Sequence, residues 1–395
     1  MRNMKISRFW TAGAAGVCLL AAAQAGYTFQ QAAPTSNVPP LVLEDFEGTT
    51  LGSRPYLWKE DKAGASEATI GAERSELDGN DANKALKFEY EFGAAFNPAH
   101  GVEAGPGLRG VSAGQDLPGS VIGISMQIYG DNSKNGVALR VKDRTGETFT
   151  WVVPVAWTGW QKVVVPMEPR LATRAGAKAN GVLDLPLTLE AVRVQRLQAG
   201  SRKGEVMVDN LVAECKFGKV TTLLDSVGPV SKDGWKGIRS RAVVGDITDT
   251  LRPRGGKDVP VLTFQYKYEN SGDALVEFQK SIPAGDGHGT LILDVFGDGS
   301  NNVLRIRMAD GQDHIWQATW ANALVDWSGW RSIYVDTRTL QDTSGADPSA
   351  IMEKFPVKFY SVVVDDCSPK DNLPGVESGR EGDLGIGRIL FCAEK

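Results

Sequence analysis

Tryptophan and arginine side chains recur at matching places in two stretches of the chain, and their types suit the binding of a sugar. Trp151 and Trp316 each follow a glycine by five residues, and Trp320 comes soon after the second of them. The apolar face of a sugar ring can stack on an indole ring, while its hydroxyl groups need polar partners nearby. The three tryptophans are therefore candidate sugar platforms; the alternative is that they are core residues.

Arg140 and Arg307 are the candidate polar partners of that sugar. Each lies in an alternating run, out of phase with apolar neighbours such as Leu139 and Ile306. Side chains alternate between the two faces of a strand, so both arginines should point away from the core. We predict that they line a sugar-binding face.

Three acidic residues form a second constellation, this time for a metal ion. Asp45 and Glu47 lie in the first predicted strand, and Asp209 lies in a late one. If these strands are neighbours, the carboxylates and nearby carbonyl groups would form the oxygen cage that Ca²⁺ prefers. The alternative is that they are ordinary solvated acids. The corresponding late strand of the second half carries Gly387 instead of an acid, so a second site is not expected there.

The sequence contains matches to catalytic motifs, but the residues around them do not fit the structures that those motifs require. Residues 110–114 match G-x-S-x-G, but a glycine-rich loop surrounds them, whereas a nucleophile elbow needs a strand before it and a helix after it. His100, His288 and His314 are the only histidines, and none has metal-ligand spacing. The 48 Asp and Glu residues leave a glycosidase carboxylate pair open without singling one out. We predict no catalytic residue.

The elements that position these residues form an internal repeat. Residues 129–161 and 296–331 both run through an aromatic-Gly-Asp turn, an alternating strand, a glycine turn, an aromatic strand and a Trp-x-Gly-Trp turn. Earlier, residues 85–92 and 261–268 both alternate apolar and polar side chains with period two, as half-buried strands do. Short strands joined by Gly, Asn and Asp turns predict an all-β chain of two tandem jelly-roll β-sandwich domains.

The boundaries follow from composition. Residues 1–25 have a basic start, a short apolar run and an A-x-A site, and are predicted to be a cleaved signal peptide. Residues 26–40 are a polar linker, and the two domains are expected at 41–215 and 220–395. We therefore expect an exported bacterial protein, located in the periplasm, on the cell surface or outside the cell. Of the three remaining cysteines, Cys367 and Cys392 are the candidate disulfide pair, with Cys215 left over.

Charge and hydropathy exclude two classes of partner. The net charge is −5 and no basic run is present, which argues against nucleic acid. Beyond the leader, no apolar stretch is long enough to predict a membrane span. A polysaccharide or glycoconjugate is the expected partner, and self-association is left open.

The same residues resemble a known family of domains. Residues 43–48, 85–90, 129–131, 157–160 and 208–211 resemble the galactose-binding-like β-sandwich domains, which often serve as carbohydrate-binding modules in secreted bacterial proteins. The resemblance covers nearly all of 41–214 and, more loosely, 220–394. It implies a jelly roll with a structural calcium near the first and last strands. It also implies sugar binding on a concave face or at a loop end.

Three functional classes remain open on the sequence. The first is a non-catalytic carbohydrate-binding protein. The second is a structural envelope or surface-appendage protein, because the outer-layer flagellar sheath proteins of spirochaetes have a similar sandwich pattern. The third is a glycoside hydrolase or polysaccharide lyase of jelly-roll type.

Overall fold

The structure is a computed structural model of the chain. It describes residues 38, 41–46, 57–61, 67–71, 83–97, 100–105, 115–176, 180–225, 232–254, 256–269, 274–318, 324–345, 350–366 and 379–394. The predicted signal peptide, Glu47, Trp320 and Cys367 lie outside these residues. None of the helices in the described ranges is both long and apolar enough to cross a membrane.

The first half of the chain forms two antiparallel sheets. Sheet 1 has the order β10-β7-β13-β4-β3 with β1 also on β13, and sheet 2 has the order β11-β9-β8-β12-β5-β2 with β6 also on β12. The strands are β1 (Leu41–Glu44), β2 (Leu57–Asp61), β3 (Glu67–Gly71), β4 (Ala85–Glu91), β5 (Gly101–Gly105), β6 (Gln115–Asp116), β7 (Val121–Asp131), β8 (Gly136–Lys142), β9 (Thr148–Pro154), β10 (Thr158–Pro166), β11 (Thr173–Ala175), β12 (Thr188–Gln195) and β13 (Lys203–Cys215), with a 3-10 turn at Pro169–Leu171.

The second half repeats this arrangement in two further sheets. Sheet 3 has the order β16-β17-β25-β19-β22 with β14 also on β25, and sheet 4 has the order β15-β18-β24-β20-β21-β23. The strands are β14 (Lys219–Leu224), β15 (Lys236–Ser240), β16 (Ala242–Arg254), β17 (Lys257–Tyr268), β18 (Leu275–Gly285), β19 (Gly289–Asp298), β20 (Val303–Ala309), β21 (Ile315–Ala318), β22 (Ser328–Asp336), β23 (Leu340–Asp342), β24 (Val357–Asp365) and β25 (Glu381–Ala393), with a 3-10 turn at Thr337–Thr339.

Each pair of sheets encloses a hydrophobic core, so each half is a β-sandwich. Phe88 and Ile128 of sheet 1 belong to one buried cluster with Leu139 of sheet 2. The core positions alternate along the strands with side chains on the outer face, which is the face of a sheet turned away from the core. The predicted all-β fold of two β-sandwiches is confirmed.

The aromatic-Gly-Asp turns that open the two repeats hold the same buried polar network. In the first sandwich the Tyr90 hydroxyl donates to Asp131 Oδ2 at 2.7 Å, and Asn135 Nδ2 donates to the same hydroxyl at 3.1 Å. In the second, Tyr266 donates to Asp298 Oδ2 at 2.5 Å, and Asn302 donates to Tyr266 at 3.1 Å. Buried polar groups need such partners, so the repeated turn is structural.

The two sandwiches also share buried surface. Four side chains on the outer face of sheet 3 belong to the core cluster of the first sandwich: Ile292, Tyr334, Leu390 and Cys392. The Tyr334 hydroxyl donates to the backbone oxygen of Val42 at 2.8 Å. A turn of the first sandwich meets β19 as well, where the amide of Gly119 donates to Thr290 Oγ1 at 2.8 Å. The contact between the halves is therefore apolar packing fixed by hydrogen bonds.

The buried cysteines lie at this contact. Cys215 and Cys392 are free thiols, and both are fully buried. Burial raises the pKa of Cys392 to about 12, which keeps it protonated. Cys367, the predicted partner of Cys392, lies outside the described residues.

Candidate functional site

The tryptophans predicted as sugar platforms are core residues where the structure describes them. Trp151 on β9 has no exposed surface, and its indole nitrogen donates to the backbone oxygen of Glu168 at 3.0 Å. Trp316 on β21 is 7% exposed and donates to Asp310 Oδ2 at 3.3 Å. Both rings occupy the inward phase of their strands, so no sugar can reach their faces. The prediction is wrong for these two, and Trp320 lies outside the described residues.

The two predicted arginines do leave the core. Arg140 on β8 lies on the outer face of sheet 2, between the buried positions Leu139 and Val141. Arg307 on β20 lies on the outer face of sheet 4, between Ile306 and Met308. The side chains of both arginines are 22% exposed. The prediction of their orientation is confirmed.

Each arginine pairs with a glutamate that the sequence did not single out. Arg140 Nη1 lies 2.7 Å from Glu103 Oε2 on β5. Arg307 Nη1 lies 2.8 Å from Glu277 Oε2 on β18. Each ion pair crosses an intervening strand, β12 in sheet 2 and β24 in sheet 4.

The registers show that the two pairs occupy the same place. Arg140 lies opposite Ala191 of β12, and Glu103 lies opposite Arg193, two residues further along. Arg307 lies opposite Ser361 of β24, and Glu277 lies opposite Val363, again two residues further along. The ion pair is therefore built twice at equivalent positions of equivalent sheets.

Different side chains surround each pair. In sheet 2, Glu190 Oε2 accepts from Arg140 Nε at 3.1 Å, and Lys142 lies 3.2 Å from the other oxygen of Glu190. In sheet 4, Arg307 Nε instead donates to Gln317 Oε1 at 2.9 Å, and Ser361 Oγ donates to Glu277 Oε1 at 2.5 Å. Both faces therefore present a partly exposed guanidinium group that a buried carboxylate holds in place, and fixed polar groups of this kind are what recognition of a polyhydroxylated ligand requires.

Half-buried aromatic rings occupy the outer face of the other two sheets. Trp160 stands edge-on to Tyr129 with the ring centroids 5.6 Å apart on sheet 1. On sheet 3, Trp330 stands in the same way against Phe296. Arg254 lies over the Trp330 ring at 4.6 Å, and the indole nitrogen of Trp330 donates to the backbone oxygen of Pro253 at 2.7 Å. The β16–β17 hairpin thus covers the second ring pair.

The predicted calcium ligands are only partly described. Asp209 is fully buried, whereas Asp45 is exposed and Glu47 lies outside the described residues. Asp209 Oδ2 accepts from Asn83 at 3.0 Å and from Asn210 at 3.2 Å. These asparagines also carry amide oxygens, so the donor set suits a hard cation. The described residues alone contain no group of three or more His, Cys, Asp or Glu side chains that could hold a metal ion.

Comparison with known proteins finds similarity at the level of solved structures. Neither a family model nor a curated protein matches the chain. A family 11 carbohydrate-binding module of a cellulosomal cellulase of Clostridium thermocellum is 14% identical, with a TM-score of 0.33, over 46% of this chain and 99% of that one. The Clostridium thermocellum family 11 module in complex with a β-1,3-1,4-mixed-linked tetrasaccharide is 15% identical, with a TM-score of 0.33, over 46% of this chain and 98% of that one.

A further structure spans both halves. It is described as one of the carbohydrate-binding modules from the β-sandwich superfamily, and it is 10% identical over 83% of this chain and 98% of that one, with a TM-score of 0.28. All three of these structures are carbohydrate-binding modules.

Proposed function

We propose that this chain is an exported, non-catalytic carbohydrate-binding protein. The candidate ligand surfaces are the outer faces of sheet 2 and of sheet 4. The observation that carries the proposal is the ion pair built twice, Arg140 with Glu103 and Arg307 with Glu277, at equivalent registers. The partly exposed guanidinium groups supply donors for sugar hydroxyls, and the buried carboxylates hold those groups in place.

The fold does not by itself require a charged pair at these places. The carboxylates of Glu103 and Glu277 are buried, with 0% and 8% of their side chains exposed, while both arginines are 22% exposed. Replacing such a buried pair by well-packed apolar residues is often neutral or stabilising. Recognition of a ligand explains why both faces hold the same oriented donors.

We further propose that a structural calcium ion binds in the first sandwich. Asp45, Glu47 and Asp209 would be its ligands, with oxygens of Asn83 and Asn210 beside them. Bound there, the ion would tie β1 to β13, which are neighbours in sheet 1.

The test of the function is binding of the mature chain, residues 26–395, in native gels cast with polysaccharides. The panel contains barley mixed-linked β-glucan, xyloglucan, galactomannan, laminarin and polygalacturonate. We expect retardation by at least one neutral polymer and loss of that retardation in the double variant Arg140→Lys, Arg307→Lys, because an ammonium group keeps the charge beside each buried glutamate but lacks the fixed fork of donors. The control is Arg252→Lys, because the Arg252 side chain is also 22% exposed and ion-paired, yet it lies on sheet 3.

Two results would contradict the proposal. Retardation by no polymer, together with concentration-dependent sedimentation, would favour a structural, self-associating protein. Release of reducing ends from a bound polymer would show that the protein is an enzyme.

A further inference from the structure

Both candidate faces have a β-bulge next to the arginine, but the bulge carries a different residue in each. In sheet 2 the register shifts between Leu189 and Ala191, so Glu190 is the extra residue. In sheet 4 the partners of Arg307 and Met308 are Ser361 and Phe359, so Tyr360 is the extra residue. Tyr360 therefore stands where the first sandwich has Glu190. A bulge aims side chains away from the regular alternation and often lies at functional sites.

The position of Tyr360 places it outside the core. Its neighbour Phe359 is buried among core residues, and its other neighbour Ser361 bonds to Glu277 on the outer face. Tyr360 is half-buried and is not part of the core cluster. Tyr360 thus directly precedes Ser361, the residue that lies opposite Arg307 in the sheet.

Tyr360 is also unlike the other tyrosines of the described residues. In that part of the chain, no side-chain hydrogen bond, ion pair or ring contact involves Tyr360. Each of the others has a hydrogen bond from its hydroxyl or a ring contact: Tyr90, Tyr129, Tyr266, Tyr268 and Tyr334. Among the described residues, the ring and the hydroxyl of Tyr360 therefore have no partner, although the neighbouring Ser361 is bonded to Glu277.

Glu190 has the opposite character. Its carboxylate accepts from Arg140 and pairs with Lys142, so that the bulge residue closes an ion-pair cluster with Glu103. In the first sandwich this position therefore carries a carboxylate that is already paired with Arg140 and Lys142, and it has no aromatic ring on which a sugar could stack.

We propose that Tyr360 is the stacking platform for a sugar ring and that the second sandwich is the half that binds the ligand. The inference rests on the proposed function and names its site. The ligand class is a neutral polysaccharide, because the charges beside Tyr360 are balanced in pairs: Arg307 with Glu277, and Arg305 with Asp365. A neutral pyranose would stack on the ring and bond through its hydroxyls to Arg307 and Gln317, while the buried Glu277 holds Arg307 in place.

The experiment measures affinity and stoichiometry by isothermal titration with an oligosaccharide of the neutral polymer that retards the wild type most. Tyr360→Ala should weaken binding by about tenfold or more, and Tyr360→Phe should keep most of it, because the ring rather than the hydroxyl provides the contact. Tyr129→Ala is the matched control, since Tyr129 is a half-buried tyrosine on the outer face of sheet 1. It should leave affinity unchanged. We expect one site per chain.

The outcomes separate this inference from the proposed function. Binding by the wild type that is unaltered in Tyr360→Ala would overturn the inference and leave the function standing. Two equal sites per chain would overturn it as well. Failure of the wild type to bind any polymer would overturn the function itself. Melting curves of each variant establish that a loss of binding is not a loss of fold.

Discussion

The two sandwiches share one polar network and differ at two positions that belong to their candidate sites. The network of tyrosine, aspartate and asparagine is the same in both, with Tyr90, Asp131 and Asn135 matching Tyr266, Asp298 and Asn302. Two other equivalent positions differ: Asp209 corresponds to Gly387, and Glu190 to Tyr360. The shared network is costly to break, because a buried polar group that loses its partner stays desolvated. The common part thus sets the fold, and the differing part is where the halves can have separate functions.

The largest effect should come from the glycines that admit the common network. A β-carbon at Gly382 would overlap side-chain oxygens of Asp298 and Tyr266, and Gly204 has the same relation to Asp131 and Tyr90. We expect Gly382→Ala and Gly204→Ala each to lower the free energy of unfolding by about 3 kcal/mol, through overpacking and a broken hydrogen bond. Urea denaturation followed by tryptophan fluorescence measures this.

The control for this pair is Gly93→Ala. A β-carbon there would meet only His100 at 3.7 Å, an ordinary contact. If one of the two glycine variants proved as stable as this control, the network would not be equivalent in the two halves.

The next largest effect should come from the proposed calcium ion at Asp209, where the second sandwich has Gly387. With calcium at about 100 times its dissociation constant, binding to the native state would add about 2.7 kcal/mol. We expect chelator to lower the melting temperature of the wild type and to have no effect on Asp209→Asn. Asp225→Asn, in the second sandwich, should respond to chelator as the wild type does. Equal melting with and without calcium in the wild type would contradict the site.

Alternation along strands explains what the sequence could predict. It placed Arg140 and Arg307 on outer faces correctly, because each lies within a seven-residue strand of clear period. Trp151 lies two residues after the buried Phe149, so alternation places it on the inner face as well. Its residue type alone does not tell whether its ring is buried or exposed. Trp316 lies in a strand of only four residues, too short to show a period.

Alternation along the strands could not predict the other residues of the site. Glu103 lies in a five-residue strand bounded by glycines, so nothing in the sequence connects it with Arg140. Tyr360 sits at a bulge, where period two fails by definition. Pairing across three strands and a local register shift are properties of the assembled sheet, and the repeat alone does not reveal them.

A third prediction tests whether the sandwiches behave as two copies or as one unit. Burial and the charge of Asp336 raise the pKa of Asp116 to about 7, and burial raises the pKa of Asp336 to about 6. These acids face each other from the two halves, near the Gly119 turn. Their folded pKa values lie above the unfolded value, so the folded state binds more protons. The resulting stability is complete below about pH 4 and is lost as the pH rises through 6 to 7.

Urea titrations between pH 5 and pH 8 measure this dependence. The free energy of unfolding of the wild type should fall by on the order of 2 kcal/mol across the range, and that of Asp116→Asn should fall by less. A rise in stability towards pH 8 would contradict the assignment of these carboxyls. A single transition at every pH would show that the halves unfold together.

The smallest effect is expected where the halves are proposed to meet their ligand. Arg307→Lys keeps a positive charge beside the buried Glu277 carboxylate, so the free energy of unfolding should fall by less than about 1 kcal/mol. Arg252→Lys, on sheet 3 and with a side chain of the same exposed fraction, should behave alike in urea. The two variants should differ only in titrations with the neutral oligosaccharide, where Arg307→Lys loses affinity, because an ammonium group lacks the fixed fork of donors, and Arg252→Lys keeps it. A large loss of stability in Arg307→Lys would instead make the outer face of sheet 4 part of the folding scaffold, because a residue held for recognition contributes little to the stability of the free protein.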